Sequence, residues 1–266
     1  MRTRGRDALV GAAGVTRSFL ARMPVLLARL GPVKAFSYRV ARRIANTLRA
    51  GSAVHDYAPF ESCDYIWLAV PEDSVAQIER ELVGYRSGNS ALQGKIVILC
   101  GSVQDSLRLV ALRASGSRVA SVNVMAETEE RVFVGEGDPD AVTELRRRLA
   151  VENRKLIVLA PGSKPFYWSG VNLSSSLLLP WIAGAVESLR AAGLSRSEAT
   201  RLAEALGARA LRSYAKAGAK SWGPAAAGSL SAVLERDLAV MRQSEPKLTA
   251  LYAAGVDCAR KFFREE

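Results

Sequence analysis

Short, continuous apolar runs alternate with stretches of helical periodicity through the first 160 positions. The apolar runs predict strands at 8–13, 33–38, 53–57, 65–70, 95–100, 118–124, 131–134 and 155–159, and the periodic stretches predict helices at 16–30, 40–50, 73–83, 105–114 and 139–150. Runs that do not alternate polar with apolar suit strands covered on both faces. Parallel neighbours need a crossover between them, so strands spaced by helices predict a doubly wound, mostly parallel α/β sheet of the Rossmann type closing near residue 160.

Beyond Pro161-Gly162 the pattern turns helical, with alanine, leucine and arginine at 3.6-residue spacing and helices expected at 165–192, 195–217, 225–242 and 247–264. Gly193 is a stop signal, Ser195-Arg-Ser-Glu198 reads as a capping box, and Pro246 opens the last helix at its first turn. The expected organisation is therefore a sheet domain over 1–160 and an all-helical domain over 161–266. From Leu173 to Val186 the first helix of the second domain is apolar nearly all round, which predicts burial on several sides. A homodimer packing through this segment satisfies that demand, and so does a monomeric bundle core.

Candidate chemistry gathers where the predicted strands end. The first strand runs into Gly11-Ala12-Ala13-Gly14-Val15-Thr16, a βα turn of the kind that brings backbone N–H groups to a pyrophosphate. In the G-x-G-x-x-G frame the three glycine positions hold Gly11, Ala13 and Thr16. Ala13 adds a methyl where phosphate passes, and a tight turn without nucleotide is the other reading of this segment. The second strand ends in Ser37 and Arg39. An acidic residue there selects NAD, whereas a guanidinium suits the 2′-phosphate of NADP. Val70-Pro71 and Gly101-Ser102 follow two more strands, the proline as a wall beneath a ribose and the small pair as room for a nicotinamide ring. Lys164, Asn123 and Asn172, with Tyr167, are the candidates to stabilise charge in a hydride transfer at the interdomain cleft.

Composition narrows the field. The net charge is +11, from 37 basic and 26 acidic side chains, but most arginines sit in amphipathic helical patterns without interleaved aromatics, so a solvated surface is expected and not a nucleic-acid face. Three widely spaced cysteines and one histidine, His55, give neither a disulfide framework nor a metal site. His55 is expected on or beside the third strand in a hydrogen-bonded structural role, far in sequence from the cleft loops, and the acids Glu127, Glu129 and Glu130 as solvated. The basic N-terminus is interrupted by charge within its apolar stretch, and no run is expected to span a membrane, which reads as a soluble cytoplasmic chain.

Ile66-Trp-Leu-Ala-Val-Pro-Glu-Asp73 and Ser37-Tyr-Arg39 resemble the NADP-binding half of proteins that carry a Rossmann-like domain followed by a DUF2520 helical domain. That group lies within the 6-phosphogluconate dehydrogenase-like and F420-dependent NADP reductase-like superfamily. Gly223-Pro224-Ala-Ala-Ala-Gly228-Ser229 is similar to the Gly-Pro-x-x-Arg-Gly-Asp segment of the helical half. The resemblance implies an NADP-dependent oxidoreductase-like protein acting on a small molecule. The chain departs from the family pattern at Asn123-Val124, where histidine and proline are expected, at Trp168 for histidine, at Ser176 for asparagine, and at Ala227 and Ser229 for arginine and aspartate. These losses keep open an inactive scaffold used for ligand sensing or protein assembly.

Overall fold

The structure is a computed structural model that describes residues 7–12, 14, 23–85, 92–125, 132–222, 236–242 and 245–263. In chain order the elements are β1 (Asp7–Gly11), α1 (Pro24–Arg29), β2 (Leu30–Lys34), α2 (Tyr38–Leu48), β3 (Ser52–Ala53), β4 (Tyr65–Ala69), α3 (Val75–Gly84), β5 (Ile96–Cys100), α4 (Val110–Ala114), β6 (Arg118–Val124), β7 (Val132–Gly137), α5 (Pro139–Val151) and β8 (Lys155–Val158). The helical remainder comprises α6 (Lys164–Ser174), α7 (Leu179–Ala191), α8 (Arg196–Ala217) and α9 (Pro246–Phe263).

The strands form one sheet in the order β3-β2-β1-β4-β5-β6-β7-β8. All neighbours run parallel except β6 and β7. The exception follows from chain length, because the few residues joining β6 to β7 are too short for a crossover. β1, β4 and β5 are apolar and buried along almost their whole length, as strands covered on both faces must be. One face packs Leu9, Trp67, Ile98 and Val122 against α1, α2 and α5, and the other packs Val10, Leu68, Leu99 and Val119 against α3 and α4. The doubly wound sheet with a helical continuation is thus the observed fold.

The chain divides into two compact units, residues 1–171 and 172–266. In the second unit α7 packs against α8 and α9. Gly184 allows the close approach of α9, since a Cβ there would fall 2.1 Å from Leu251 Cδ2. The capping box at Ser195 and Glu198 forms as its residues dictate, each side chain bonding the other's backbone N–H.

Several boundaries differ from the pattern. The strand expected at 33–38 is Leu30–Lys34, and Ser37 and Arg39 belong to the start of α2. Ser37 accepts a hydrogen bond from Val40 N, and this cap begins the helix before an extended strand can reach Tyr38. Leu30, expected to close a helix, opens β2 instead. The helix expected at 105–114 is divided at Leu109 into a 3₁₀ turn and α4, because buried carboxylates from elsewhere take the freed N–H groups. Glu136 accepts from Ser106 N, and Glu79 accepts from Ala111 N and Leu112 N. The helix expected at 165–192 is interrupted at residues 175–178, where Pro180 disfavours helix in the residue before it and restarts α7 in its own first turn. The helix expected at 225–242 is described only over 236–242, and Glu127, Glu129, Glu130 and the Gly223–Ser229 segment lie outside the described residues.

Asp7 anchors the base of the sheet. It is fully buried, accepts from Trp67 Nε1 at 3.0 Å and from the Arg148 guanidinium, and Arg148 in turn lies 3.4 Å from the centre of the Tyr65 ring. Breaking a buried pair from one side leaves the other charge stranded. Arg148→Met is therefore expected to destabilise the chain by about 3 kcal/mol in urea unfolding, and adding Asp7→Asn to it to recover a large part of that loss; equal stability of both variants and wild type would contradict the anchor.

Candidate functional site

In an open α/β sheet the ligand crevice lies outside the carboxyl ends of the strands where the strand order reverses. Here β1 sits between β2 and β4, so the reversal falls at β1 and β4. The loops at this edge are those after β1, β2, β4, β5 and β6.

After β1, Ala12 N donates to Ala69 O at 2.8 Å, tying the mouth of the turn to β4. Gly11 is buried, Gly14 is exposed with open space where a Cβ would stand, and Ala13, Val15 and Thr16 lie outside the described residues. After β2 the chain presents Phe36, 95% exposed, then Ser37 as the cap of α2. Arg39, Arg42 and Arg43 are exposed on α2, and none makes an ion pair among the described residues. No carboxylate stands at the end of β2, where Lys34-Ala35-Phe36-Ser37 is the sequence. His55, expected on or beside the third strand, follows β3 and stacks on Tyr38 with ring centroids 4.0 Å apart and planes 4° from parallel. β3 pairs with β2 along Val33 and Ala53, and this pairing brings His55 level with the first residue of α2.

The β4 and β5 loops are fastened to each other. Val70 is buried and Pro71 exposed. Glu72 accepts from Ser102 Oγ at 3.1 Å and from Val103 N at 2.6 Å, and Ser102 Oγ also accepts from Gln104 N. Gly101 turns with φ of 70°, a conformation that favours glycine, while its N–H donates to Val122 O. Ser102 is thus a structural member of the knot, and Gly101 presents the exposed surface.

Lys164, the first residue of α6, reaches into this knot. It is 1% exposed, and its ammonium donates to Asn123 Oδ1 at 2.6 Å, to Ser121 Oγ, to Ser102 O at 3.0 Å and to Gln104 O at 3.2 Å. Ser121 and Asn123 alternate along β6 onto one face, and Glu136 pairs opposite Ser121 on β7. Burial pushes the Lys164 ammonium down to about 8, against the opposing pull of Glu136. Burial pushes the Glu136 carboxyl up, although Ser106 N and Oγ both donate to it. Lys164 and Asn123 are therefore brought together as the sequence leads one to expect. Asn172 is not: it is exposed, roughly 12 Å further along α6 at 1.5 Å per residue, and its carbonyl accepts from Ser175 N and Leu177 N. The Tyr167 hydroxyl is buried and has no hydrogen-bond partner among the described residues.

Ser121, Glu136 and Glu72 escaped the sequence reading. A serine and an asparagine two apart in an otherwise apolar strand, and an acid inside Val132-Phe-Val-Gly-Glu-Gly137, were the signals. Among the described residues no group of His, Cys, Asp and Glu side chains is arranged to hold a metal ion.

The architecture is a Rossmann-type sheet followed by a helical domain. The sequence matches no protein-family model and no curated protein. Among solved structures it is similar to a putative NADP oxidoreductase from Bacteroides fragilis, with 14% identity, a TM-score of 0.67 and coverage of 97% of this chain and 98% of that one. It is also similar to an imine reductase variant from Myxococcus stipitatus in complex with NAD+, with 13% identity, a TM-score of 0.68 and coverage of 98% and 96%. A reductive aminase from Aspergillus terreus in complex with NADPH shows 17% identity, a TM-score of 0.63 and coverage of 98% and 95%. At these identities the likeness establishes the fold.

The shifted lysine gives a pH signature. Below about pH 8 the ammonium is charged in folded and unfolded chains alike, whereas between there and its ordinary 10.5 the folded chain has released a proton that the unfolded chain still holds. Stability rises with pH where the unfolded state binds more protons. Wild type is expected to gain up to about 3 kcal/mol over Lys164→Met between pH 8 and 10.5, read by urea unfolding at matched pH; a constant difference would contradict it.

Proposed function

We propose that this chain is an NADP-dependent oxidoreductase-like protein that exchanges a hydride with a small carbonyl or imine compound. The observation that carries the reading is the β2 end of the switch-point crevice, where no carboxylate faces a ribose and Arg39 makes no ion pair among the described residues. The solved structures that share the fold and are titled as NADP oxidoreductase, NADPH-bound reductive aminase and imine reductase support the same class.

The residues present fit such a dinucleotide at three places. The α2 start, with Ser37 and Arg39, suits a phosphorylated ribose; the sequence Gly11-Ala-Ala-Gly14 suits the approach of a pyrophosphate; and Val70, Pro71 and Gly101 suit the wall and floor of a nicotinamide subsite. The bound dinucleotide supplies or takes the hydride. The chain's own share is positional and electrostatic. Lys164 holds a buried positive charge behind Ser102, which favours negative charge developing at that edge, and it cannot itself donate to substrate without giving up one of its acceptors.

A second part of the proposal concerns assembly. Leu173 to Val186 was expected to be buried, yet Leu173, Leu177, Leu179 and Ile182 are exposed in the single chain. The run Lys164–Ala191 is long and apolar enough to cross a membrane by length and composition, which the sequence reading did not expect. Its first residue, however, is locked into the sheet by Lys164 and it is broken at 175–178, so a second copy of the chain suits this surface better than a bilayer.

Two experiments check these readings. In fluorescence titration NADPH is expected to bind at about micromolar concentration and at least tenfold tighter than NADH, with Arg39→Ala weakening NADPH about tenfold and leaving NADH unchanged; no NADPH binding at about 1 mM would sink the function. In sedimentation the chain is expected to run as a dimer and Leu179→Arg with Ile182→Arg as a monomer, and a monomeric wild type would remove the assembly.

A further inference from the structure

The adenosine end of the proposed crevice carries an unusual surface. Phe36 stands two residues past the end of β2, 95% exposed, with no ring contact among the described residues. A single exposed aromatic is ordinary on a protein surface. This one lies at the β2 end of the sheet, where an open α/β fold meets the sugar and base of a nucleotide. On its other side the backbone is unusually well fixed. Ala35 is buried, Ser37 caps α2 through Val40 N, and Tyr38 lies flat on His55 across the β2–β3 edge. The ring is therefore mounted on a turn tied down by a buried residue, a helix cap and a ring stack, which lowers the ordering cost of binding.

We infer that Phe36 is the adenine-stacking residue of this chain and that the Tyr38–His55 stack is the mount that holds Arg39 toward a 2′-phosphate. This inference rests on the dinucleotide reading and divides its recognition into two parts. Stacking on an aromatic face is indifferent to phosphate and serves any adenine dinucleotide. A guanidinium reads phosphate and needs a fixed approach. Phe36 supplies affinity common to NADPH and NADH. His55, which touches neither base nor phosphate, acts on the preference between them by fixing Tyr38 and with it the first turn of α2.

The test is a set of fluorescence and calorimetric titrations with NADPH, NADH and reduced nicotinamide mononucleotide, which lacks adenine. Phe36→Ala is expected to weaken NADPH and NADH alike by about tenfold and to leave the mononucleotide unchanged, while Phe36→Trp retains wild-type affinity. His55→Ala is expected to lower the NADPH-to-NADH preference several-fold with NADH itself unchanged. Because both side chains are exposed, thermal unfolding of the variants should match wild type, which separates a recognition role from a folding defect. Wild type that binds NADPH while Phe36→Ala binds both dinucleotides equally well would overturn the inference and leave the function standing. Wild type that binds neither dinucleotide would overturn both.

Discussion

A buried ammonium must find acceptors or give up its proton, and Lys164 finds four. Two are carbonyls of the β5 loop and two are side chains on β6, so one side chain sets the spacing between the loop that carries Gly101 and the strand beside it. Glu72 fastens the same loop from the β4 side, accepting from Ser102 and Val103. The carboxyl edge of the central sheet is therefore joined through polar contacts, whereas the body beneath it is held by apolar packing on both faces. Satisfied polar networks of this kind specify one arrangement, because any partial loss leaves unpaired groups in a low-dielectric interior.

The architecture was legible because periodicity is a property of long segments. The unbroken apolar runs at β4 and β5, and the strand at β6, sit where the pattern put them. The site was less legible because it depends on which faces and ends meet. Lys164 and Asn123 were found as polar residues near the expected domain junction, but their partners Ser121 and Glu136 look like incidental polar residues until β6 and β7 are paired. The Tyr38 partner of His55 is hidden for the same reason: two residues beyond a two-residue strand, His55 is remote in sequence from Tyr38 and adjacent to it once β3 joins β2. Arg39 was read at a strand end, and a serine cap made it part of a helix. Capping is a local signal, and Ser37 is itself visible; it is outweighed by an expected strand that runs four residues past the observed end at Lys34.

The two ends of the crevice are built by different physics. Toward β5 and β6 the polar groups are committed to one another: Lys164 bonds Ser102 O, Ser121 Oγ and Asn123 Oδ1, and Glu136 is held by Ser106. Toward β2 and β3 the surface is open, with an exposed Phe36 and guanidinium groups that no carboxylate neutralises among the described residues. A committed end changes little on binding and gives reproducible geometry, which a hydride transfer requires, since its rate depends on fractions of an ångström. An open end supplies affinity, because each group it offers is unpaired before the ligand arrives and loses no internal partner when it does. On the proposed dinucleotide reading the same separation bears on the first βα turn. Ala12 N is already bonded to Ala69 O, so that amide is not offered to a pyrophosphate, and more of the proposed affinity falls to the ring and guanidinium beside α2. Weakening that open end should therefore cost affinity and leave the geometry of the committed end intact.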